Sequence, residues 1–273
     1  MRALMVQGTS SGAGKSTLVA ALCRIFRDRG YSVCPFKSQN MSRMHVRIGR
    51  LRVAGAQAVQ AAAAGCPVTP DINPVLLEPL GDDRSALYVG GRYVRTVTAK
   101  EYYAMSLSLM GAVRSSMRRL AGRHDLMVIE GAGSPAEINL RGSDIANMRV
   151  ARAARAPVLL VSDMERGGSF AAVSGTLSLL GADRGRVRGL VFNNFRGDPG
   201  VLAPGLRRIS RMTGVPVAGV IPHIASRLPD EDSLGARRVS WDGRRTPWLE
   251  GRIRGLARAV SGSVDVGMLE AMA

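Results

Sequence analysis

The chain has 273 residues and 46% hydrophobic content, enough for one large α/β domain or a domain with an appendage around a substantial core. No apolar run reaches the roughly 18 residues of a membrane span, and a single arginine before a strand-like run is not a signal peptide, so a cytoplasmic protein is expected. The net charge of +17 suits acidic partners such as ATP, a polycarboxylate or nucleic acid, but only 4% of residues are aromatic, which argues against a base-stacking platform and makes nucleic acid a poor candidate.

In chain order, apolar runs of strand length alternate with helix-length segments. A strand is expected over Ala3–Gln7, then a glycine-rich loop and a helix over Ser16–Arg29. A strand over Ser32–Phe36 precedes a helix over Val53–Ala64. Residues 87–94 form a small hairpin around Gly90-Gly91, a pair suited to a two-residue primed turn. A helix over Ala99–Ala121 leads to a strand at Leu126–Glu130, a helix at Asp144–Ala154 and a strand at Val158–Ser162. A helix at Ser169–Leu180, a strand at Gly189–Asn193, a helix at Pro199–Thr213 and a strand at Val217–Ile221 follow. Several strands are nearly all apolar, as when both faces of a sheet are covered. The alternation predicts a doubly wound, mostly parallel α/β sheet over residues 1–225. Residues 226–273 read as a linker and a helical tail, in which Leu249, Ile253, Leu256 and Val260 recur at helical spacing and suit a docking or surface helix.

The chemistry begins at "QGTSSGAGKST", residues 7–17. A strand, glycines and Lys-Ser-Thr opening a helix make a phosphate cradle. Gly8, Thr9, Gly12, Ala13, Gly14 and Thr17 supply the loop and its amides. Lys15 neutralises the β- and γ-phosphates, and the Ser16 hydroxyl ligates Mg²⁺. Five residues separate Gly8 from Gly14, one more than in the commonest phosphate loop. Only three of the 38 basic residues are lysines, so Lys15 and Lys37 stand out as positions that call for an ammonium.

Ligands of open α/β sheets bind beyond the carboxyl ends of the strands. That rule places Lys37, Gln39 and Asn40 to face the γ-phosphate and an acidic acceptor. Glu130 ends a strand where a carboxylate can hold Mg²⁺ directly or through water, and Gly131 and Gly133 beside it permit close approach of a ligand. Asp163 and Arg166 suit a substrate carboxylate, ammonia or Mg²⁺. Asn193 could read a purine, and the Pro222 loop could wall the base. The three cysteines, Cys23, Cys34 and Cys66, lack metal-ligand spacing and read as reduced thiols.

Together these residues resemble a family. The longer loop is similar to that of dethiobiotin synthetase-like P-loop enzymes. "PFKSQNMS", "NPVLLEP", "IEGAGSPAEINL", "DIANM", "DMERGGSFA", "FNNFRGD" and "LPDEDSL", spread over residues 3–234, resemble the synthetase domain of the cobyric acid synthase family. The resemblance implies ATP- and Mg²⁺-dependent amidation of carboxylates b, d, e and g of adenosylcobyrinic acid a,c-diamide through acyl phosphates. Lys15 and Ser16 would serve ATP-Mg²⁺, Glu130 the metal and Asn193 the base. Lys37 and Asp163 would sit at the acceptor carboxylate, with Gln39, Asn40, Gly133, Ser134 and Arg166 around the substrate.

Several features depart from the family pattern. No cysteine has the Gly-x-Cys-x-Gly setting of its glutaminase domain and no histidine begins a His-x-Glu pair. The chain is therefore expected to be a fragment lacking that domain, one half of a split enzyme with a separate glutaminase, a user of free ammonia, or a degenerate copy. Gln57 stands where dethiobiotin synthetases have an acidic metal ligand, Glu78 where a lysine is usual, and Arg52 near a missing acid. Two alternatives stay open: amidation of other carboxylates or another tetrapyrrole, and a partitioning-type switch ATPase, whose extra loop lysine is replaced by Thr9 and Ser10. The oligomeric state is not legible.

Overall fold

The first strand, β1 (Arg2–Gly8), is buried from Ala3 onward and forms the middle of a six-stranded sheet. The protein is described from a computed structural model that covers residues 1–225, 228 and 246–273. Most of the expected linker, and "LPDEDSL" beyond Leu228, lie outside the described residues. The other strands of this sheet are β2 (Val33–Phe36), β9 (Leu126–Glu130), β10 (Val158–Asp163), β11 (Val187–Phe195) and β12 (Val217–Pro222). They pair in the order β12-β11-β10-β1-β9-β2, every pairing parallel. Register places Val6 beside Glu130, Gly8 beside Val161, and Asp163 beside Asn193, so the carboxyl ends carrying the candidate residues share one edge.

Alternate residues of each strand feed two cores, one on each face. Met5, Met127, Ile129 and Leu160 face one way; Leu4, Val6, Val128 and Leu159 face the other. The second core is capped by α1 (Lys15–Asp28) and α2 (Gly55–Ala64). The first core packs α4 (Met110–Ala121), α5 (Met148–Ala154), α6 (Ser169–Leu179) and α7 (Pro199–Thr213).

The segment beyond the expected boundary near residue 225 docks on the domain. Helix α8 (Pro247–Ser261) buries Leu249, Ile253, Leu256 and Val260 in the core shared with α1, and α9 (Val266–Met272) adds Val266 and Leu269. Arg24 of α1, oriented by Asp28 one turn along the same helix (2.8 Å), ties the tail down by donating to Glu250 (2.5 Å). Each fully buried aliphatic side chain of this size contributes about 1.5–3 kcal/mol, so the tail is part of the fold. Cys23 and Cys34 are buried and Cys66 half-buried, all three as reduced thiols.

A smaller sheet joins β3 (Gln39–Met41), β6 (Val75–Gly81), β7 (Arg84–Val89) and β8 (Arg92–Thr98), and β4 (His45–Ile48) pairs with β5 (Leu51–Ala54) as a hairpin. The expected turn at Gly90-Gly91 joins β7 to β8, with both glycines at positive φ (57° and 77°).

Three expected helices are shorter than their patterns. Val53 and Ala54 belong to β5, because they pair with Val46 and His45, so α2 starts at Gly55. The long helix over Ala99–Ala121 divides into α3 (Ala99–Met105), a 3-10 turn at Ser106–Leu109, and α4. At the break the Ser106 hydroxyl donates to the carbonyl of Ser143, an alternative to regular helix that serine favours. The helix expected from Asp144 begins at Met148, because the Asp144 carboxylate accepts from the amides of Ala146 and Asn147 and holds a turn instead.

Candidate active site

The loop between β1 and α1 turns through Gly12 and Gly14, at φ 71° and 87°, a region costly for side-chain-bearing residues. At Gly14 a Cβ would stand 2.0 Å from Asn193 Nδ2, and at Gly8 2.9 Å from Lys15 Nζ, so glycine is required for space as well. Asn193, at the end of β11, donates through Nδ2 to the Ala13 carbonyl (3.0 Å) and fastens the loop to the sheet. Thr9 donates to Ser162 Oγ on β10 (3.2 Å). Lys15 Nζ donates to the Ser10 carbonyl (2.8 Å). The loop is a rigid cradle of amides at a helix N-terminus, a geometry that fits phosphate.

Beneath it lies Glu130, 1% exposed at the end of β9. Its Oε1 accepts from Ser16 Oγ (2.7 Å) and Lys37 Nζ (2.8 Å). Its Oε2 accepts from Gln57 (3.3 Å) and Gln60 of α2. Asn40 of β3 donates to Gln57 Oε1 (2.7 Å), so α2 and β3 are drawn to the same carboxylate. Burial pushes the Glu130 carboxyl up, but the Lys37 ammonium and the bonds from Lys37, Ser16 and Gln60 outweigh it and hold the group ionised, below the usual carboxylate range. Ser16 and Glu130 thus converge two hard oxygen donors beside the phosphate cradle, a set that fits Mg²⁺.

A cavity of about 740 Å³ opens over this network. Gly12, Gly14, Lys15, Ser16 and Thr17 line it from the loop; Lys37, Gln39, Asn40, Glu130, Gly133, Arg166 and Asn193 line it from the strand ends. The structure therefore gathers most of the residues expected from the sequence. Others lie apart. Asp163 is not among the lining residues; it accepts from Asn194 Nδ2 (3.0 Å), and Asn194 itself lines the cavity in a left-handed conformation, φ 58°. Pro222 is exposed and outside the lining, where Ile221, Ile224, Leu256 and Val260 form an apolar wall instead. The amide of Asn193 is committed to the loop carbonyl. Ser134 lines a neighbouring cavity of about 440 Å³.

Some functional residues were not legible. Gln60 carries no motif signal, Asn194 lies inside the "FNNFRGD" block but with no role expected from the sequence, and the two α8 residues in the wall come from a segment read as a tail. Asn147, inside the "DIANM" block, shapes the 131–134 loop: its side chain accepts from the Ala132 amide (3.1 Å) and donates to the Ala132 carbonyl (2.7 Å). A Cβ at Gly131 would stand 2.4 Å from Asn147 Oδ1, which explains that glycine. Two of the departures noted in the sequence meet each other: Arg52 forms an ion pair with Glu78 and stacks 4.8 Å over the Tyr88 ring.

Comparison with known proteins adds the lineage. The family described as "CobQ/CobB/MinD/ParA nucleotide binding domain" matches residues 4–233. A cobyric acid synthase of Sorangium cellulosum is 52% identical over 245 residues, 89% of this chain and 46% of that protein. A probable cobyric acid synthase of Methanothermobacter thermautotrophicus is 49% identical over 247 residues, 89% of this chain and 49% of that protein. The chain thus spans about half the length of the curated relatives it matches. Among solved structures, chloroplast FtsY from Physcomitrella patens aligns over 82% of this chain and 59% of its own at 19% identity, with a TM-score of 0.48, too distant a likeness to inform the site. On the strength of the match over residues 4–233, the chain belongs to the CobQ/CobB/MinD/ParA family of nucleotide-binding domains.

Proposed function

We propose that this chain is the ATP-dependent, amide-forming domain of a cobyric acid synthase, acting on side-chain carboxylates of a corrinoid in cobalamin biosynthesis. The observation that carries the reading is the meeting of Lys15, Ser16, Lys37 and Glu130 at one cavity, where a nucleotide's terminal phosphate and an acidic acceptor can face each other. The relatives, near half identical over most of the chain and described as cobyric acid synthases, support the choice of acceptor.

The loop amides and Lys15 hold the β- and γ-phosphates. Ser16 and Glu130 would hold Mg²⁺, which when bound offsets phosphate charge. An acceptor carboxylate oxygen attacks the γ-phosphorus and ADP leaves, giving an acyl phosphate. Ammonia then attacks the acyl carbon, phosphate departs with the former carboxylate oxygen, and the amide remains. The protein's contribution is positioning and charge neutralisation. Lys37 lines the cavity and neutralises the acceptor carboxylate. Asp163 acts through Asn194, which it orients at the cavity edge. Ammonia comes from solution or from a glutaminase domain or subunit.

The test is incubation with ATP, Mg²⁺, ammonium and cobyrinic acid a,c-diamide. Corrinoid-dependent ADP release with conversion of acid to amide, read by mass spectrometry, is the expected result. Absence of both at saturating ammonium would refute the reading. Turnover on cobyrinic acid compared with its a,c-diamide identifies the carboxylates used.

A further inference from the structure

The cavity of about 440 Å³ beside the phosphate site shares Ser11, Gln39, Met41, Ala132 and Gly133 with it, so a ligand in one can reach into the other. Its lining has two characters. Met41, Tyr103 and Leu179 are large apolar side chains left 55%, 39% and 48% exposed, all on this cavity. Beside them stand Arg141 and Arg149, neither of which forms an ion pair at hydrogen-bond distance among the described residues, although Arg149 lies close enough to the Asp144 carboxylate to favour its charged form. Arg149 is oriented by the carbonyls of Asp144 (3.1 Å) and Gly142 (3.4 Å), and Arg141 by that of Leu180 (3.2 Å).

The acidic lining residues are mostly committed elsewhere. Asp144 accepts from the amides of Ala146 and Asn147, Asp183 pairs with Arg152, and only the exposed Glu137 has no such bond among the described residues. Tyr102, 5% exposed, also lines the cavity, and its hydroxyl is buried with no hydrogen-bond partner among the described residues. Burial raises its pKa further, so at neutral pH it is a donor awaiting an acceptor.

We propose that this second cavity seats the body of the acceptor, a bulky, partly apolar polycarboxylate. Its apolar face lies on Met41, Tyr103 and Leu179, its non-reacting carboxylates meet Arg141, Arg149 and the Tyr102 hydroxyl, and one further carboxylate reaches past Gly133 to Lys37. This rests on the carboxylate-activating reading and identifies residues that choose the substrate rather than activate it. Apolar contact area with a few placed polar groups is how such sites bind and orient ligands, and guanidinium matches carboxylate geometry.

The experiment is equilibrium dialysis of cobyrinic acid a,c-diamide against the wild-type chain and the Arg149→Gln and Tyr102→Phe variants. In parallel, the apolar anion 8-anilinonaphthalene-1-sulfonate is titrated into the same proteins, with affinity for a fluorescent ATP analogue as control. Each variant is expected to weaken corrinoid binding by roughly tenfold or more, the scale of a hydrogen bond to a charged group, with nucleotide affinity unchanged. Tyr102→Phe should also raise the unfolding temperature, because it removes a buried hydroxyl without a partner; a purely structural tyrosine would not pair that gain with a loss of ligand.

If the corrinoid binds wild type and both variants alike, the inference is overturned while the reaction stands. If wild type ignores the corrinoid but binds the sulfonate, and the variants bind it less, the site stands and the corrinoid reading falls. If neither probe binds wild type, the inference is overturned.

Discussion

Replacing Lys37 with methionine removes the cation paired with a carboxylate that is almost fully buried. Lys37 Nζ stands 2.8 Å from Glu130 Oε1, with side-chain exposures of 8% and 1%. At an effective dielectric of about 20 this separation corresponds to roughly 6 kcal/mol of attraction, part of which offsets the desolvation of both ions. Breaking a buried pair by deleting one partner costs about 3–5 kcal/mol. Ser16, Gln57 and Gln60 still donate to Glu130, so the lower end, about 3 kcal/mol, is expected.

The pH dependence has a definite sign. In wild type the folded-state pKa of Glu130 is depressed, so its contribution is fully present above the unfolded value of about 4.3 and is lost only as pH falls through the depressed one. Between pH 5.5 and 8 it is constant. In Lys37→Met burial dominates and the folded pKa rises above the unfolded value. Stability is then greatest at low pH and falls as pH rises through the raised value. The gap between variant and wild type should therefore widen from pH 5.5 to pH 8. Thermal unfolding followed by circular dichroism, in chelator to exclude divalent ions, reads both effects. At about 2–4 °C per kcal/mol for a chain of this size, the variant should melt roughly 6–12 °C lower at pH 8. An unchanged melting temperature at pH 8, or an equal gap at both pH values, would refute the reasoning.

Other substitutions probe separate parts of the account. Gly14→Ala drives a Cβ to 2.0 Å from Asn193 Nδ2 at a φ of 87°, so binding of a fluorescent ATP analogue should be lost; affinity within threefold of wild type would contradict the cradle geometry. Ser16→Ala should raise the Mg²⁺ concentration for half-maximal ATP turnover by roughly tenfold, with nucleotide affinity measured in chelator little changed. Ile253→Ala empties a fully buried position of α8 and should cost about 2–5 kcal/mol in urea unfolding, whereas a detached tail would show almost no loss.

The parallel sheet was legible because its strands are buried on both faces and spell that out as unbroken apolar runs, Leu126–Glu130 to the residue. The phosphate loop was legible because glycine, lysine and serine at fixed spacing have few other uses. The edge of the smaller sheet and the separate β4–β5 hairpin were less so: β3 has three residues and β4 and β5 four each, too short for a periodic signal. Helix breaks at Ser106–Leu109 and before Met148 come from side-chain bonds to distant or local backbone, which periodicity does not register. Around Glu130, the acid itself was readable at a strand end, whereas Gln57 and Gln60 became its partners only through the packing of α2. The apolar face of α8 was readable as that of a docking or surface helix, but what it packs against was not, because that link is tertiary, through Arg24, Glu250 and the core shared with α1.

The central claim is that a carboxylate takes the phosphoryl group. Cobyrinic acid a,c-diamide with ¹⁸O-labelled carboxylates, turned over with ATP and ammonium, tests it directly by the mass of the released phosphate. The account requires one ¹⁸O in phosphate for each amide formed, because the carboxylate oxygen leaves with the phosphorus. Unlabelled phosphate accompanying amide formation would contradict it.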